Sequence, residues 1–399
     1  MLSEQDIDKL LQPIIDREES INLYAIKQIA NQIKEIGKLT PSNVNTLQML
    51  YRRGANVREI NKAIAKLTTL QVSDIKKLIR NVAQDAYIDT KPYYDYRHKP
   101  FIPFDKNKEL QKVVTAIANQ TAQTYINLSR AQAFMIRDYK HPAVLLPTNL
   151  SQTYQSVVDE AIQAVQGGVV DYNTAMRRTL RQLANSGLRR VTYNPESGRT
   201  YTQRLDSALR RNLLDGVRAI NQGVQDVTGE QFEADGKEIT VHLNPAPDHA
   251  PVQGHQFSNY EFEKMQQGLS CMDVQGRAYA GFERAIGTLN CRHFTYSIII
   301  GVHKPNYTDD QLQDILNKNE KGYTSPDGEH LTMYECTQRQ RHLETSIRYA
   351  REGKLAAQAA NDTKLLSHYD TKLDKLIEMY KNFSLQCGLS PKWAKTLVN

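Results

Sequence analysis

The chain has 399 residues, of which 40% are hydrophobic and 24% are charged, and its formal net charge is +7. This length and balance predict two or three folded domains with a sizeable core, and they argue against a disordered chain. No stretch approaches the roughly 20 apolar residues of a membrane-spanning helix, and the acidic start "MLSEQDIDKLLQPIID" is not typical of a signal peptide. Four scattered cysteines are too few for a disulfide framework and favour folding in a reducing compartment.

Helical periodicity predominates in the first part of the chain. "SEQDIDKLLQPIIDREESINLYAIKQIANQIKEIG" carries apolar residues at three- and four-residue steps, with a kink expected at Pro13. After a proline- and aromatic-rich break, helix is predicted to resume over residues 107–137, and "KHPAVLLPTN" is expected to be a linker. "RRVTYNPESGRTYTQ" predicts a β-hairpin, followed by an amphipathic helix over about residues 202–228.

Positive charge is concentrated in residues 176–218, which hold ten arginines, no lysine and three acidic residues. Such a segment suits DNA phosphates, which favour positive charge through counterion release. Arg204, Arg211 and Arg218 are seven residues apart, so they are expected to share one side of the helix. The predicted nucleic-acid contacts are Arg177, Arg181, Arg204, Arg211 and Arg218. Contact with another protein, or exposure to solvent, is the alternative use of these side chains that the composition leaves open.

The pattern changes at residue 236. "GKEITVHL" alternates as a strand with His242 opposite its apolar side, "RHFTYSIIIGV" predicts a second strand, and a short helix is expected near 259–268. Amphipathic helices then return, and core packing or a partner helix explains the apolar stripe Leu365, Tyr369, Leu373, Leu376 and Tyr380.

The predicted fold class is therefore mainly α with a small α+β insert, in which elongated helical arms flank a two- or three-stranded antiparallel sheet. The predicted domains are an N-terminal helical region (1–105), a helical region with basic helices (106–235), a small α+β domain (236–305) and C-terminal amphipathic helices (306–399).

The two predicted strands and the turn after the first carry a set of candidate metal ligands, His242, His249, Cys291 and His293. Zinc takes about four nitrogen or sulfur ligands in a tetrahedron, and this set is complete if the two strands pair. The spacing is not a regular zinc motif. In the alternative interpretation the histidines bond turn carbonyls and Cys291 packs in the core.

Catalysis would need further groups. Asp248 is available to orient a histidine, but no glycine-rich oxyanion turn lies beside Cys291. The alternative to a protein without enzymatic activity is a metal-dependent nuclease or protease that acts through the His/Cys cluster, and Asp248 and His255 are the further groups that a nuclease would use. The chain has no G-x-x-x-x-G-K-[ST] loop, which excludes an NTP-driven motor.

Four stretches carry a family resemblance: "GRTYTQRLDSALRRNLLDGVRAINQ", "ITVHLNPAPDHAPVQGHQF", "LNCRHFTYSIIIGVHKPNY" and "YECTQRQRHLETSIRYAREGK". They resemble the phage minor capsid protein 2 family, head proteins of tailed phages that are related to the Mu F-like head morphogenesis proteins. The resemblance is clear from about residue 170 onward and looser before it. The family pattern also covers Gln253, Gly254, Asn290 and Arg292, whereas Val252 replaces a usual aromatic residue.

The broader Mu F-like proteins carry C-x-x-C followed by H-x-x-C-x-C, which resembles a zinc knuckle. These five positions correspond here to Ala246, His249, Thr288, Cys291 and His293, so two ligands are lost and His242 is the candidate to replace one. The resemblance thus implies a structural zinc ion that holds a small domain together.

The resemblance further implies a non-enzymatic structural protein of the virion, placed inside the head near the portal and present in the host cytoplasm during assembly. Its expected partners are the portal protein, major capsid or scaffold proteins and non-specific double-stranded DNA, with no membrane in the assembled head. Its expected role is to assist head assembly or DNA packaging and ejection.

Overall fold

The computed structural model resolves two compact units within the chain. The first consists of Met1–Leu11, Ser73–Thr124 and Arg211–Arg339, and the second of Gln12–Val72, Tyr125–Arg210 and Gln340–Asn399. The domain boundaries inferred from the sequence stay a prediction. The structure describes residues 4–36, 55–130, 132–137, 145–148, 174, 177, 180, 181, 189–194, 199–281, 284–287, 291 and 293–398.

Helices form the larger part of both units. They are α1 (Glu4–Ile36), α2 (Ala55–Ile88), α3 (Lys91–Tyr96), α4 (Lys108–Arg130), α5 (Leu205–Gln231), α6 (Asn259–Gln266), α7 (Asp309–Lys321), α8 (Met333–Ala359) and α9 (Thr363–Gln386). Pro13 lies inside α1, and the kink expected at this residue stays a prediction. A capping box of Thr308 and Gln311 begins α7. Among the described helices, none is both long and apolar enough to cross a bilayer.

The strands are short and all of their pairings are antiparallel. They are β1 (Gln132–Arg137), β2 (Leu145–Thr148), β3 (Arg189–Asn194), β4 (Arg199–Arg204), β5 (Gly236–Ile239), β6 (Gln256–Ser258), β7 (Cys271–Met272), β8 (Ala278–Tyr279), β9 (Thr295–Ile298), β10 (Tyr323–Thr324) and β11 (His330–Leu331). One sheet has the order β2-β1-β3-β4, a second has the order β6-β5-β9, and β7-β8 and β10-β11 are isolated pairs. The predicted fold class, mainly α with a small antiparallel α+β part, is confirmed.

Three local predictions differ from the structure. The segment "KHPAVLLPTN", expected to be a linker, contains β2, because Leu145–Thr148 pair with β1. The helix expected over 107–137 ends at Arg130, and residues 132–137 form β1 because they pair with β2 and β3. A short apolar run fits either helix or strand by periodicity alone, and distant pairing decides between them. The predicted hairpin is confirmed as β3 and β4, but β4 extends to Arg204 and α5 begins at Leu205. Arg204 is therefore not on the helix, which corrects the predicted arginine ridge.

Helices α4 and α5 approach each other closely in the first unit because two glycines of α5 face α4. A Cβ atom on Gly216 would lie 2.6 Å from Thr121 Oγ1, and one on Gly223 would lie 2.7 Å from Val113 Cγ1. The apolar face of α5 is buried through Leu213, Val217, Ile220 and Val224. This packing fixes the helix that lies beside the small sheet.

The small sheet β6-β5-β9 is flanked by two apolar clusters. In one, Phe232 packs against Tyr93 and Tyr94 of α3 at centroid distances of 5.1 and 5.7 Å, together with Ile299 after β9. The other consists of Ile239, Val252, Phe257, Met265, Cys271 and Ile286. Both clusters are modest, so the loops around the sheet depend on other contacts for their order.

In the second unit, α8 and α9 form a tight pair. The ring of Tyr369 lies over Gly353, where any side chain would collide with it. Asp362 caps α9 by accepting the backbone N–H of Leu365 at 2.9 Å. Four members of the predicted stripe are buried, namely Leu365, Tyr369, Leu373 and Tyr380. Core packing within the unit accounts for them.

Candidate metal centre

The pairing of β5 with β9 brings the predicted ligand segments together. Ile239 at the end of β5 is the register partner of Thr295 at the start of β9, and the Thr240 N–H donates to the Phe294 carbonyl at 3.0 Å. The segment that follows β5 and the segment that precedes β9 therefore leave the sheet at the same end. The expected pairing of these two strands is confirmed.

Three of the four predicted ligands converge beyond this end of the sheet. Cys291 Sγ lies 3.3 Å from His249 Nδ1 and 3.3 Å from His293 Nδ1. The three donor atoms all lie within 4.8 Å of one another. The residues are only 0%, 6% and 4% exposed for His249, Cys291 and His293, respectively. A sulfur atom and two imidazole nitrogens thus face one buried point.

The other nitrogen of each imidazole meets a hydrogen-bond acceptor. His249 Nε2 donates to the Arg284 carbonyl at 2.8 Å, and His293 Nε2 faces Gln253 Oε1 at 3.4 Å. Because these oxygens only accept, Nε2 carries the proton in the neutral form of each ring and Nδ1 keeps its lone pair. Ligating histidines in metalloproteins are commonly held by such second contacts.

The electrostatics of the cluster favour the protonation states that a metal ion requires at two of the three positions. Burial raises the pKa of the Cys291 thiol, but hydrogen bonds from His249 and from the Gly287 and His293 backbone outweigh it, so the pKa is lowered. Burial, with the nearby positive charges of His242, His249 and Arg284, lowers the pKa of His293 to about 2. A thiolate and a neutral imidazole are the ligating forms.

Without a metal ion, the pKa of His249 is shifted in the opposite direction to that of His293. Burial lowers its pKa, but the hydrogen bonds to Cys291 and to the Arg284 carbonyl outweigh burial, so the pKa of His249 is raised. Its imidazolium is stabilised by the thiolate beside it. A divalent cation that replaces this proton would meet the same negative charge.

His242, the fourth predicted ligand, lies after the end of β5 and is half-buried. Its ring centroid is 4.4 Å from that of His293, and the rings are inclined by 69°. Its donor atoms are not among those that meet within 4.8 Å. The structure therefore places His242 next to the cluster of three.

The donor set fits zinc. Zn–N bonds of about 2.0 Å and a Zn–S bond of about 2.3 Å in a tetrahedron place the donors about 3.5 Å apart. The two Nδ1–Sγ distances of 3.3 Å are close to this value. The chain thus presents two nitrogens and one sulfur to a common point, with His242 adjacent as a candidate for the fourth position.

The residues considered for acid–base catalysis lie in ion-pair networks. Asp248 pairs with Arg284, whose Nε lies 2.7 Å from Asp248 Oδ2. His255 Nδ1 accepts a hydrogen bond from Arg277 at 2.7 Å, and Asp273 pairs with the same guanidinium at 2.6 Å. Burial and the positive charge of Arg277 lower the pKa of His255. His255 thus belongs to a network built around Arg277, which also pairs with Asp309 of α7.

The predicted DNA-binding arginines differ in exposure. Arg181 and Arg211 are exposed, and Arg218 is half-buried with its guanidinium beside Gly287. Arg177 Nε lies 2.7 Å from the buried carboxylate of Asp362.

Arg204 is only 6% exposed and contacts the Glu352 carboxylate through two nitrogens, at 2.7 and 3.1 Å. It also lies over the ring of Tyr349, 4.5 Å from the centroid. Its charge is therefore satisfied within the protein, and Arg204 is removed from the predicted nucleic-acid contacts.

The motif residues have separate roles. Gln253 is buried against the histidines, and Gly254 has a positive φ of 76°. Asn290 and Arg292 lie outside the described residues. The carbonyl of Arg284 and the amide of Gly287 complete the surroundings of the cluster, and neither has a sequence signal because both act through backbone atoms.

Comparison with models of protein families gives a match. A family model described as phage minor capsid protein 2 matches residues 2–383, nearly the whole chain. Searches among curated proteins and among solved structures found no match.

Proposed function

The chain belongs to the phage minor capsid protein 2 family, and on that premise we propose that it is a structural protein of the head interior near the portal. As a phage minor capsid protein it is a component of the virion. The proposed role is to contact portal, major capsid or scaffold proteins and packaged DNA, and to assist head assembly or DNA packaging and ejection. The observation that carries a structural role is the burial of the candidate metal centre.

The metal centre is proposed to hold one structural zinc ion. His249, Cys291 and His293 would be ligands, with His242 at the fourth position. When bound, zinc would supply a cross-link between two loops 42 residues apart in the chain, as counted from His249 to Cys291. The sheet beneath has strands of only three and four residues, so such a link supports a fold with little core of its own.

A catalytic centre is the rival proposal. It would be a metal-dependent nuclease or protease that acts during head maturation or DNA ejection. Catalytic zinc sites keep a position open for water and substrate. The three converging donors are almost fully buried, and Asp248 is engaged by Arg284. A polymeric substrate has no access to donors in this state, which favours the structural role.

DNA contact is proposed for the exposed arginines Arg181 and Arg211, with Arg218 as a weaker contributor. Exposed guanidinium groups bind phosphates without reading base sequence. DNA that lines the head interior offers phosphates at high density. The proposed contact is therefore non-specific and sensitive to salt.

The proposed position of the chain, inside the head near the portal, is tested by reconstruction of the virion without imposed icosahedral symmetry. Density for the chain on the inner side of the portal vertex is expected. Density spread over the icosahedral shell, or on the outer surface, would contradict the proposed position.

The structural role of the metal centre is tested with His249→Ala. Loss of zinc together with lower stability and defective assembly is expected. A variant that folds and assembles normally, but has lost a hydrolytic activity present in the wild-type protein, would favour the rival proposal.

A further inference from the structure

We propose that Gln253 is the positioning residue of the metal centre, because one carboxamide oxygen orients two of its histidines. Gln253 Oε1 accepts the backbone N–H of His242 at 2.8 Å and faces Nε2 of His293 at 3.4 Å. It therefore links the segment after β5 to the segment before β9. The proposal rests on the zinc centre proposed above.

The orientation of the carboxamide follows from its partners. The His242 backbone offers a hydrogen, so the atom that lies 2.8 Å away is the oxygen and not the amide nitrogen. The same oxygen accepts the Nε2 proton of His293. That ring is then held in the tautomer whose Nδ1 is unprotonated and points to Cys291 Sγ, at 3.3 Å.

The backbone beside Gln253 is fixed by its neighbour Gly254. Gly254 has φ of 76°, and its N–H donates to the Ile239 carbonyl at 2.8 Å. A Cβ atom at this position would lie 2.5 Å from Leu312 Cδ2 of α7 and 2.9 Å from Val241 Cγ2. Only glycine fits between these side chains at this backbone angle, so Gly254 allows the turn that places Gln253 beside the two histidines.

The amide nitrogen of Gln253 adds a second argument. Gln253 is 2% exposed, and its Nε2 has no hydrogen-bond partner among the described residues. A buried donor without a partner is unfavourable, and a leucine or methionine of similar volume would avoid it. The contribution of Gln253 therefore comes from its oxygen, which links the segment of His242 to the segment of His293.

The first measurement uses the metal-free full-length chain, labelled with ¹⁵N at its ten histidines. Imidazole ¹⁵N spectra report the tautomer of each ring, and a His293→Gln variant assigns the His293 signals. The Nε2–H form is expected at His293 in the wild-type protein and in Gln253→Glu, which keeps an acceptor. In Gln253→Leu the Nε2–H form is expected to lose its dominance.

The second measurement is zinc affinity by competition with a chromophoric chelator. Gln253→Leu is expected to bind zinc about 10–100-fold more weakly, whereas Gln253→Glu, which keeps an acceptor oxygen, should stay within about 10-fold of the wild-type affinity. Gln225→Leu is the matched control. It removes another buried glutamine of the same unit, which bonds to Ser297 and not to a ligand, and should change neither the tautomer nor the affinity.

The outcomes separate the two proposals. An unchanged Nε2–H form of His293 in Gln253→Leu overturns the positioning role, whatever the metal content. If the tautomer changes as expected but the wild-type chain binds no zinc, the positioning role stands and the zinc centre fails. A tautomer change in Gln225→Leu of the same size as in Gln253→Leu would also overturn the specific role of Gln253.

Discussion

Gln225 of α5 closes the free edge of the small sheet by bonding to Ser297 of β9. Its Oε1 accepts the Ser297 N–H at 2.9 Å, and the Ser297 hydroxyl donates to the Gln225 carbonyl at 2.7 Å. Gln222, one turn earlier, accepts the Thr295 N–H at 2.9 Å. Carboxamides of a helix thus take the place of a neighbouring strand along β9, the strand that follows Cys291 and His293 of the candidate metal centre.

This edge predicts a stability effect. Gln225→Leu should lower the free energy of unfolding by about 1–3 kcal/mol, because the buried Ser297 N–H then lacks an acceptor. Chemical denaturation measures the change. Gln313→Leu, on the exposed side of α7, is the control and should have an effect below about 0.5 kcal/mol. Equal effects of the two substitutions would show that the edge contacts contribute nothing specific.

Metal content is the second prediction. Cys291→Ala should reduce bound zinc from about one equivalent to below about 0.3 in protein purified without chelator, because it removes the sulfur that faces the two Nδ1 atoms. Elemental analysis gives the ratio. Cys271→Ala, a buried cysteine in the second apolar cluster, should keep the zinc. A wild-type protein below about 0.3 equivalents would count against the zinc centre itself.

The loss of stability at low pH is expected to depend on Glu238, which is 1% exposed. It accepts hydrogen bonds from Gln256 at 2.8 Å and from the Asn306 side chain at 2.6 Å, and it pairs with His303 at 3.2 Å. Burial raises the pKa of Glu238, but the hydrogen bonds outweigh burial and hold the pKa below its ordinary value of 4.5.

Because the pKa of Glu238 is lower in the folded state than in the unfolded state, its ionised form stabilises the fold. The stabilisation is fully present above the unfolded pKa, which is near the ordinary value of 4.5, and is lost as the pH falls through the lower folded pKa. Glu238→Gln should therefore be less stable at neutral pH and lose less stability on acidification. Unfolding at a series of pH values tests this, with the exposed Glu263→Gln as control. If the free energy of unfolding of Glu238→Gln fell with acid as steeply as that of the wild type, the role of Glu238 would be contradicted.

The sequence predicted those parts of the site that depend on local patterns. The alternation in "GKEITVHL" and "RHFTYSIIIGV" predicted β5 and β9, and their pairing brought His249, Cys291 and His293 together as expected. The contacts of Gln253 and of the Arg284 carbonyl were not predictable, since they depend on loop geometry and on a backbone atom. Glu352 is 148 residues from Arg204 in the chain, so no local sequence pattern predicted their ion pair.

That ion pair gives the fourth prediction. Glu352 is 1% exposed, and removal of its partner leaves an uncompensated buried charge. Arg204→Met should lower the free energy of unfolding by about 3–5 kcal/mol, whereas the double variant with Glu352→Leu should recover part of the loss. Lys354 lies on the same helix as Glu352, and Lys354→Met breaks its partly exposed pair with Asp370 of α9, so it should change stability by about 0–1 kcal/mol. A double variant no more stable than Arg204→Met would contradict the pairing.

DNA binding supplies the fifth prediction. Arg181→Ala and Arg211→Ala should each weaken binding to duplexes of unrelated sequence, because each exposed guanidinium releases counterions from one phosphate. The slope of log affinity against log salt should become shallower by about 0.9 per arginine between about 50 and 200 mM salt, as measured by fluorescence anisotropy. Arg339→Ala removes an exposed arginine outside the basic segment, one that pairs with Glu329, and should leave the slope unchanged. Equal slopes for Arg211→Ala and the wild type would remove Arg211 from the contact, and affinity that depends on base sequence would contradict backbone binding altogether.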